Sequence, residues 1–236
     1  WNYTVHWPME APADLLEKYK NLPVRGYRDY RYAAMIEAMD NAVGKVLNSL
    51  DNLNLTDETL VIFSSDNGPF GGVGDASPLR ADKGHLYEGG IRVPLIIRWP
   101  GKIKPETLDE TPVILTDLYP TILEASGISS NVNYPIDGKN LLPLLKNRKK
   151  LNDRAIFWHY PNFAFHRDNR LGSAIREGDY KLLHFYDNDS IELYNLRKDI
   201  SETNDLSREL PQLALKLKNK LESLLKESGA AMPTNR

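Results

Sequence analysis

The chain of 236 residues contains no cysteine. That excludes disulfides, thiolate metal centres and a cysteine nucleophile from these residues. No stretch approaches 18 consecutive apolar residues, so no membrane-spanning helix is predicted. Charge of one sign is also scarce: 30 Lys and Arg stand against 32 Asp and Glu, a formal net charge of −2 with no long run of either sign. Nucleic-acid binding through a basic surface is therefore not supported. Gly-x-Ser-x-Gly, a Walker loop, a dinucleotide fingerprint and His-x-x-x-His spacing are all missing. The opening "WNYTVHWPMEAP" has no initiator Met, basic n-region or apolar h-region. It does not read as a signal peptide, and it reads as the middle of a longer protein.

What is present is an ordinary globular composition, 41% hydrophobic and 26% charged. The length suits one sizeable core, or a large domain with a smaller appendage. Apolar positions Met35, Ile36, Met39, Val43, Val46, Leu47 and Leu50 recur at helical spacing, which predicts a helix over 29–50. The runs "TLVIFS" (59–64) and "VPLIIRW" (93–99) read as strands buried on both faces, as in a parallel sheet covered by helices. Between them, residues 66–90 hold seven glycines, the mark of a long functional loop. "TDLYPTILEAS" (116–126) predicts a helix stopped by Gly127. This alternation is the α/β pattern.

Around 127–152 the texture becomes a linker rich in Asn, Pro and Lys. The later runs "AIFWHY", "GSAIREG", "YKLLHFY" and "IELYNL" predict an antiparallel meander. An amphipathic helix over 207–227 follows, with Leu210, Leu213, Leu217, Leu221 and Leu224 on one face. Two units are expected, 1–130 an α/β domain and 131–236 a small α+β subdomain. The triplets Asn2-Tyr3-Thr4, Asn54-Leu55-Thr56 and Asn188-Asp189-Ser190 fit the glycosylation pattern, a signal of low specificity.

"SSDNG" (64–68) lies at the C-terminal end of the first strand run, where ligands sit in α/β sheets. Asp66 and Asn67 offer hard oxygen ligands suited to Ca²⁺ or Mg²⁺, although such ions need about six or more donors. Both reach one ion only if the chain leaves the strand there, a turn that Gly68 permits. A plain turn made of Asp, Asn and Gly is the competing reading. Lys83 sits in a glycine-containing loop that could bring an ammonium to an anion, and Arg80 and Arg92 are further candidates; for each of them a solvated surface charge is the competing reading. Glu88-Gly89-Gly90 reads as a loop with special backbone angles. His6 and His159 sit among prolines and aromatics; His85, His166 and His184 show no ligand spacing.

Together "VIFSSDNG", "PLRADKGHLYEGGIRVPLIIRWPG", "YTVHWPMEAP" and "SAIREGDYKLL" with "ELYNLRKDISETNDL" make the chain resemble the sulfatase family. The resemblance runs from near residue 3 to about 225. It implies an alkaline-phosphatase-like α/β fold with a mixed or parallel sheet core, present in part, and a C-terminal α+β subdomain. It implies that Asp66 and Asn67 are metal ligands, usually for Ca²⁺. It further implies that Lys83 contacts the sulfate group, and that His6 contacts sulfate or the leaving oxygen. Arg80 and Glu88 belong to the same motif and are expected to be structural; His159, from its place in "WHYP" alone, is expected to face the substrate pocket.

The family's nucleophile is a formylglycine made from Cys or Ser in a Cys/Ser-x-Pro-x-Arg signature. Neither that signature nor the accompanying Asp-Asp pair is in this sequence. The expectation is a C-terminal portion of a sulfuric ester hydrolase, inactive by itself, whose partner is the N-terminal part of the same protein. A periplasmic, secreted or lysosomal-type location follows from the resemblance alone. Trp158, Tyr160, Phe163 and Phe165 are either a sugar platform or the core of the small sheet. A sulfated carbohydrate is the expected substrate, ahead of an aryl sulfate. A phosphatase or phosphodiesterase of the same superfamily, or a non-catalytic chain, are the alternatives.

Overall fold

A computed structural model describes residues 5–23, 27–128, 135–147, 149–163 and 168–233. The triplet at 2–4, Phe165 and His166 lie outside the described residues.

The chain opens with helix α1 (Ala13–Lys20), which packs on the long helix α2 (Tyr30–Asn52). Asp29 caps α2, its carboxylate accepting the Arg31 backbone N–H at 2.9 Å, which satisfies one of the donors orphaned at a helix start. Strand β1 (Val61–Ser64) and strand β2 (Leu95–Arg98) pair with each other, Val61 opposite Arg98 and Ser64 opposite Leu95. The pairing is antiparallel, and none of the eight strand residues is fully buried. Ile96 is 60% exposed. The expectation of parallel strands covered on both faces is corrected for this pair. A continuous apolar run reports a strand's hydrophobicity but carries no information on the direction of its neighbour.

Between these strands the loop ends in one short helical turn, α3 (Glu88–Ile91). Helix α4 (Leu118–Ala125) follows, stopped by Gly127 at φ +69°, and then α5 (Leu142–Asn147). Asp117, fully buried before α4, accepts the Ile114 and Lys139 N–H groups and is gripped by the Arg154 guanidinium.

The second half is the antiparallel meander. Strands β3 (Ala155–Tyr160), β4 (Gly172–Glu177), β5 (Tyr180–Phe185) and β6 (Ser190–Asn195) pair in that order. Period-2 alternation splits the sheet's side chains between two cores. Ile175, Leu182 and Leu193 meet Ala214, Leu217, Leu221 and Leu225 of the terminal helix α6 (Pro211–Glu227). Their neighbours Ala174, Leu183 and Tyr194 face the other way, against Leu86 and Tyr87. The glycine-rich loop is thus the second cover of the small sheet. Leu210, expected on the apolar face of α6, stands at its N-cap and is exposed.

Candidate functional site

The site is built from one loop folded on itself. Beyond Ser64, whose hydroxyl donates to the Pro94 carbonyl at 2.9 Å, the chain leaves β1. The Ser65 hydroxyl closes a local turn onto the Asn67 carbonyl, also at 2.9 Å. Asp66 is exposed and Asn67 half-buried. Neither side chain is claimed by a hydrogen bond or ion pair from the described residues.

Gly68 then docks on α3. Its N–H donates to the Gly90 carbonyl at 2.9 Å, and a Cβ built on it falls 1.8 Å from the Gly89 carbonyl oxygen. One layer deeper, a Cβ on Gly89 would lie 2.1 Å from the Ala81 carbonyl oxygen, and one on Gly90 2.1 Å from that of His85. The reason for these three glycines therefore differs from the expected one. Gly68, Gly89 and Gly90 do not have positive φ; they permit backbone to lie directly on backbone. The strained angles sit at Ala81 (φ 60°) and Gly84 (φ 92°), on either side of Lys83.

Lys83 joins the same knot. Its N–H donates to the Pro69 carbonyl at 2.9 Å, which sets the lysine backbone two residues beyond Asn67. Its side chain is half-buried and unpaired among the described residues. Asp66, Asn67 and Lys83 are thus carried on one interlocked loop, two hard-oxygen donors and a cation without side-chain partners among the described residues.

The donor set fits a hard cation in part. Asp66 and Asn67 supply oxygens at a hydrogen-bonded turn, but no group of three or more acidic, His or Cys side chains able to hold a metal occurs among the described residues. Two donors leave most of the shell of Ca²⁺ or Mg²⁺ to other groups.

The remaining sequence candidates fall elsewhere. His6 is exposed, with Nδ1 3.2 Å from the Trp7 carbonyl. His159 lies on β3 with both ring nitrogens engaged. Nδ1 meets the Ser173 hydroxyl at 2.7 Å and the Tyr186 hydroxyl at 3.2 Å, and Nε2 accompanies the Ala231 carbonyl at 2.8 Å. Those contacts tie the end of the chain to the sheet. Trp158 and Tyr160 pack against the sheet core, whereas Phe163 is exposed.

Arg80 and Glu88 have the structural roles expected of them. Arg80 Nη1 donates to the Tyr194 hydroxyl and the Glu202 carbonyl, both at 2.8 Å, and its guanidinium lies 3.8 Å from the centre of the Tyr87 ring. The Tyr87 hydroxyl donates to Glu192 at 2.7 Å; burial, reinforced by that bond, pushes it well above the usual phenol range. Glu88 takes the ammonium of Lys181 at 3.0 Å. Lys181, the fully buried second residue of β5, also lies 2.8 Å from Glu202. Sequence reasoning missed Lys181 and Glu202. The available signal was a lysine in "YKLLHFY", on the strand face shared with Leu183 and Phe185.

Comparison with known proteins agrees with this architecture. The sulfatase family profile matches residues 3–128. A profile described as N-sulphoglucosamine sulphohydrolase, C-terminal, matches residues 80–227. A sulfatase of Formosa agariphila is 39% identical over 97% of this chain and 46% of its own length. An N-acetylglucosamine-6-O-sulfatase of Bacteroides thetaiotaomicron is 33% identical over 76% of this chain and 32% of its own. Among solved structures, Ps i-CgsB in complex with k-i-k-neocarrahexaose superposes with a TM-score of 0.79 at 30% identity, over 94% of this chain and 48% of that one. The chain thus spans less than half the length of the relatives it matches. With matched profiles, a relative 39% identical over 97% of this chain and a shared alkaline-phosphatase-like fold, the chain belongs to the sulfatase family.

Proposed function

We propose that the full-length protein hydrolyses sulfate esters of a carbohydrate, and that this chain supplies part of its cation site and its sulfate-binding lysine. The observation that carries the reading is the glycine knot. Hydrogen bonds from Gly68 to Gly90 and from Lys83 to Pro69 hold Asp66, Asn67 and Lys83 on one rigid turn. The carbohydrate preference draws on the N-acetylglucosamine-6-O-sulfatase and on the neocarrahexaose complex.

In this reading Asp66 and Asn67 hold Ca²⁺, with Mg²⁺ as the substitute, and other segments complete the shell. A bound cation stabilises negative charge on the sulfate being transferred. Lys83 binds the sulfate oxygens with a fixed positive charge, preorganised because its backbone is pinned. His6 donates a proton to the leaving alcohol oxygen. His159, expected only to face the substrate, has its ring nitrogens engaged by Ser173, Tyr186 and the Ala231 carbonyl, and no chemical step is assigned to it. The formylglycine nucleophile has no source in a chain without cysteine or Ser-x-Pro-x-Arg, so it belongs to the N-terminal part of the same protein. For that reason we assign no turnover to these residues alone. The domain division at 130/131 and a periplasmic, secreted or lysosomal-type location are part of the same proposal. Among the described residues no helix is long and apolar enough to cross a membrane.

The test is Asp66→Ala in the full-length protein, followed by sulfate release from sulfated sugars and by calcium titration. The expected result is loss of both activity and calcium affinity. Near-normal turnover overturns the assignment. Paired aryl sulfate and phosphate ester substrates separate sulfatase from phosphatase chemistry.

A further inference from the structure

We infer that Lys181 and Glu202, far along the chain from the glycine knot, are positioning residues for the Asp66–Asn67–Lys83 site. This inference rests on the function proposed above. Lys181 is 0% exposed, Glu202 0% and Glu88 2%. The Lys181 ammonium lies 3.0 Å from Glu88 Oε1 and 2.8 Å from Glu202 Oε1. The second contact is an ion pair outside hydrogen-bond geometry. Glu202 Oε2 accepts the Glu88 backbone N–H at 2.6 Å. Arg92 completes the cluster, 3.5 Å from Glu88 Oε2. Glu88 is therefore held at both ends, its side chain by β5 and its backbone by the turn after β6.

The next two residues are Gly89 and Gly90, the surface on which Gly68 rests. The path from Lys181 to the proposed cation ligands is short: Lys181 to Glu88, Glu88 to Gly89 and Gly90, and these to Gly68 beside Asn67. A second arm runs from the Glu202 carbonyl to Arg80, and from the Arg80 carbonyl to the Gly89 N–H at 2.8 Å. Buried ion pairs add little net stability, because desolvation offsets their attraction. They do fix geometry, and residues that orient metal ligands typically change metal affinity or activity 10–100-fold when removed.

The test uses the full-length protein and reads calcium affinity by calorimetry, hydrogen exchange over residues 66–90 without cation, and kcat and KM separately. Lys181→Met is expected to weaken calcium binding by roughly tenfold or more, to speed exchange in the loop, and to lower kcat more than KM changes. Arg154→Met removes another ion pair to a fully buried carboxylate, that of Asp117, with Arg154 itself partly exposed and the pair lying outside residues 66–90. It is expected to lower Tm while leaving calcium affinity unchanged. If Lys181→Met does not fold, Glu202→Gln carries the test with the same directions. The inference is overturned if the folded variant keeps wild-type calcium affinity and loop exchange, or loses only what Arg154→Met loses. Unchanged calcium affinity in Asp66→Ala overturns the underlying function instead.

Discussion

Gly68→Ala is the most demanding perturbation of the knot, because one methyl group meets backbone. The added Cβ would lie 1.8 Å from the Gly89 carbonyl oxygen, and real Cβ contacts essentially never fall under 3.0 Å. The two segments must part by about 1 Å or more, since a carbonyl cannot swing aside as a side chain does. Gly89 and Gly90 cannot absorb the shift, being themselves packed on the Ala81 and His85 carbonyls. Residues 66–69 must move, and the Gly68–Gly90 hydrogen bond at 2.9 Å is lost. Overpacking of this kind costs ~1–3 kcal/mol, and the bond adds ~1 kcal/mol. A displacement of ~1 Å between Asp66–Asn67 and Lys83 is expected to cost on the order of 100-fold in kcat/KM. The assay is sulfate release by the full-length protein at saturating calcium, with thermal denaturation beside it. Gly44→Ala is the control. Gly44 lies inside α2 with nothing within 4 Å of a built Cβ, so alanine there is expected to raise stability by up to ~1 kcal/mol with no change in rate. Wild-type kcat/KM in Gly68→Ala would refute the claim that close backbone packing sets the site.

Two further outcomes concern the small sheet. Leu221 of α6 is fully buried against Ile175, Leu182 and Leu193, so Leu221→Ala is expected to cost ~2–5 kcal/mol in urea denaturation. Burial raises the Glu202 carboxyl, with Lys181 opposing. The native state then holds its proton to higher pH than the unfolded chain does. Linkage makes this contribution to stability decline as pH rises above about 4.5. Urea midpoints measured against pH should show that slope in the wild type, and a flatter one in Glu202→Gln.

Much of the fold was legible because it rests on local pattern. Helical spacing in 29–50 and the turn-bounded runs of the meander are short-range signals, and α2 and β3–β6 follow them closely. Gly127 ends α4 with the positive φ its position suggested. The directions of β1 and β2 were not legible, since an apolar run is compatible with either. The glycines of 66–90 announced an unusual loop, yet close approach and special angles leave the same mark in a sequence. Only neighbours from elsewhere in the chain distinguish them. Asp66 and Asn67 stood out as hard donors at a strand end and Lys83 as a loop cation, but a plain turn and a surface charge read the same way, and the family resemblance singled them out. Lys181 did not stand out, because its partners Glu88 and Glu202 lie 93 residues before it and well after it in sequence.

That separation bears on why a sheet with no proposed catalytic residue matters to the chemistry. A loop of 25 residues with seven glycines has a large conformational entropy to lose, and its internal hydrogen bonds alone would not hold it. The sheet supplies the rest. Leu86 and Tyr87 are buried in its face, and Arg80 is bound by Tyr194 and by the turn at Glu202. Asn169, just before β4, donates to the Gly84 carbonyl beside Lys83. Every one of these anchors lies between residues 80 and 88 on the loop and beyond residue 168 on the sheet side. The order of residues 80–90 therefore depends on the meander. Through Gly68, so does the placement of Asp66 and Asn67. Substitutions on the loop-facing side of β4–β6 should change the cation affinity of the proposed site, whereas those on the α6-facing side should change stability alone.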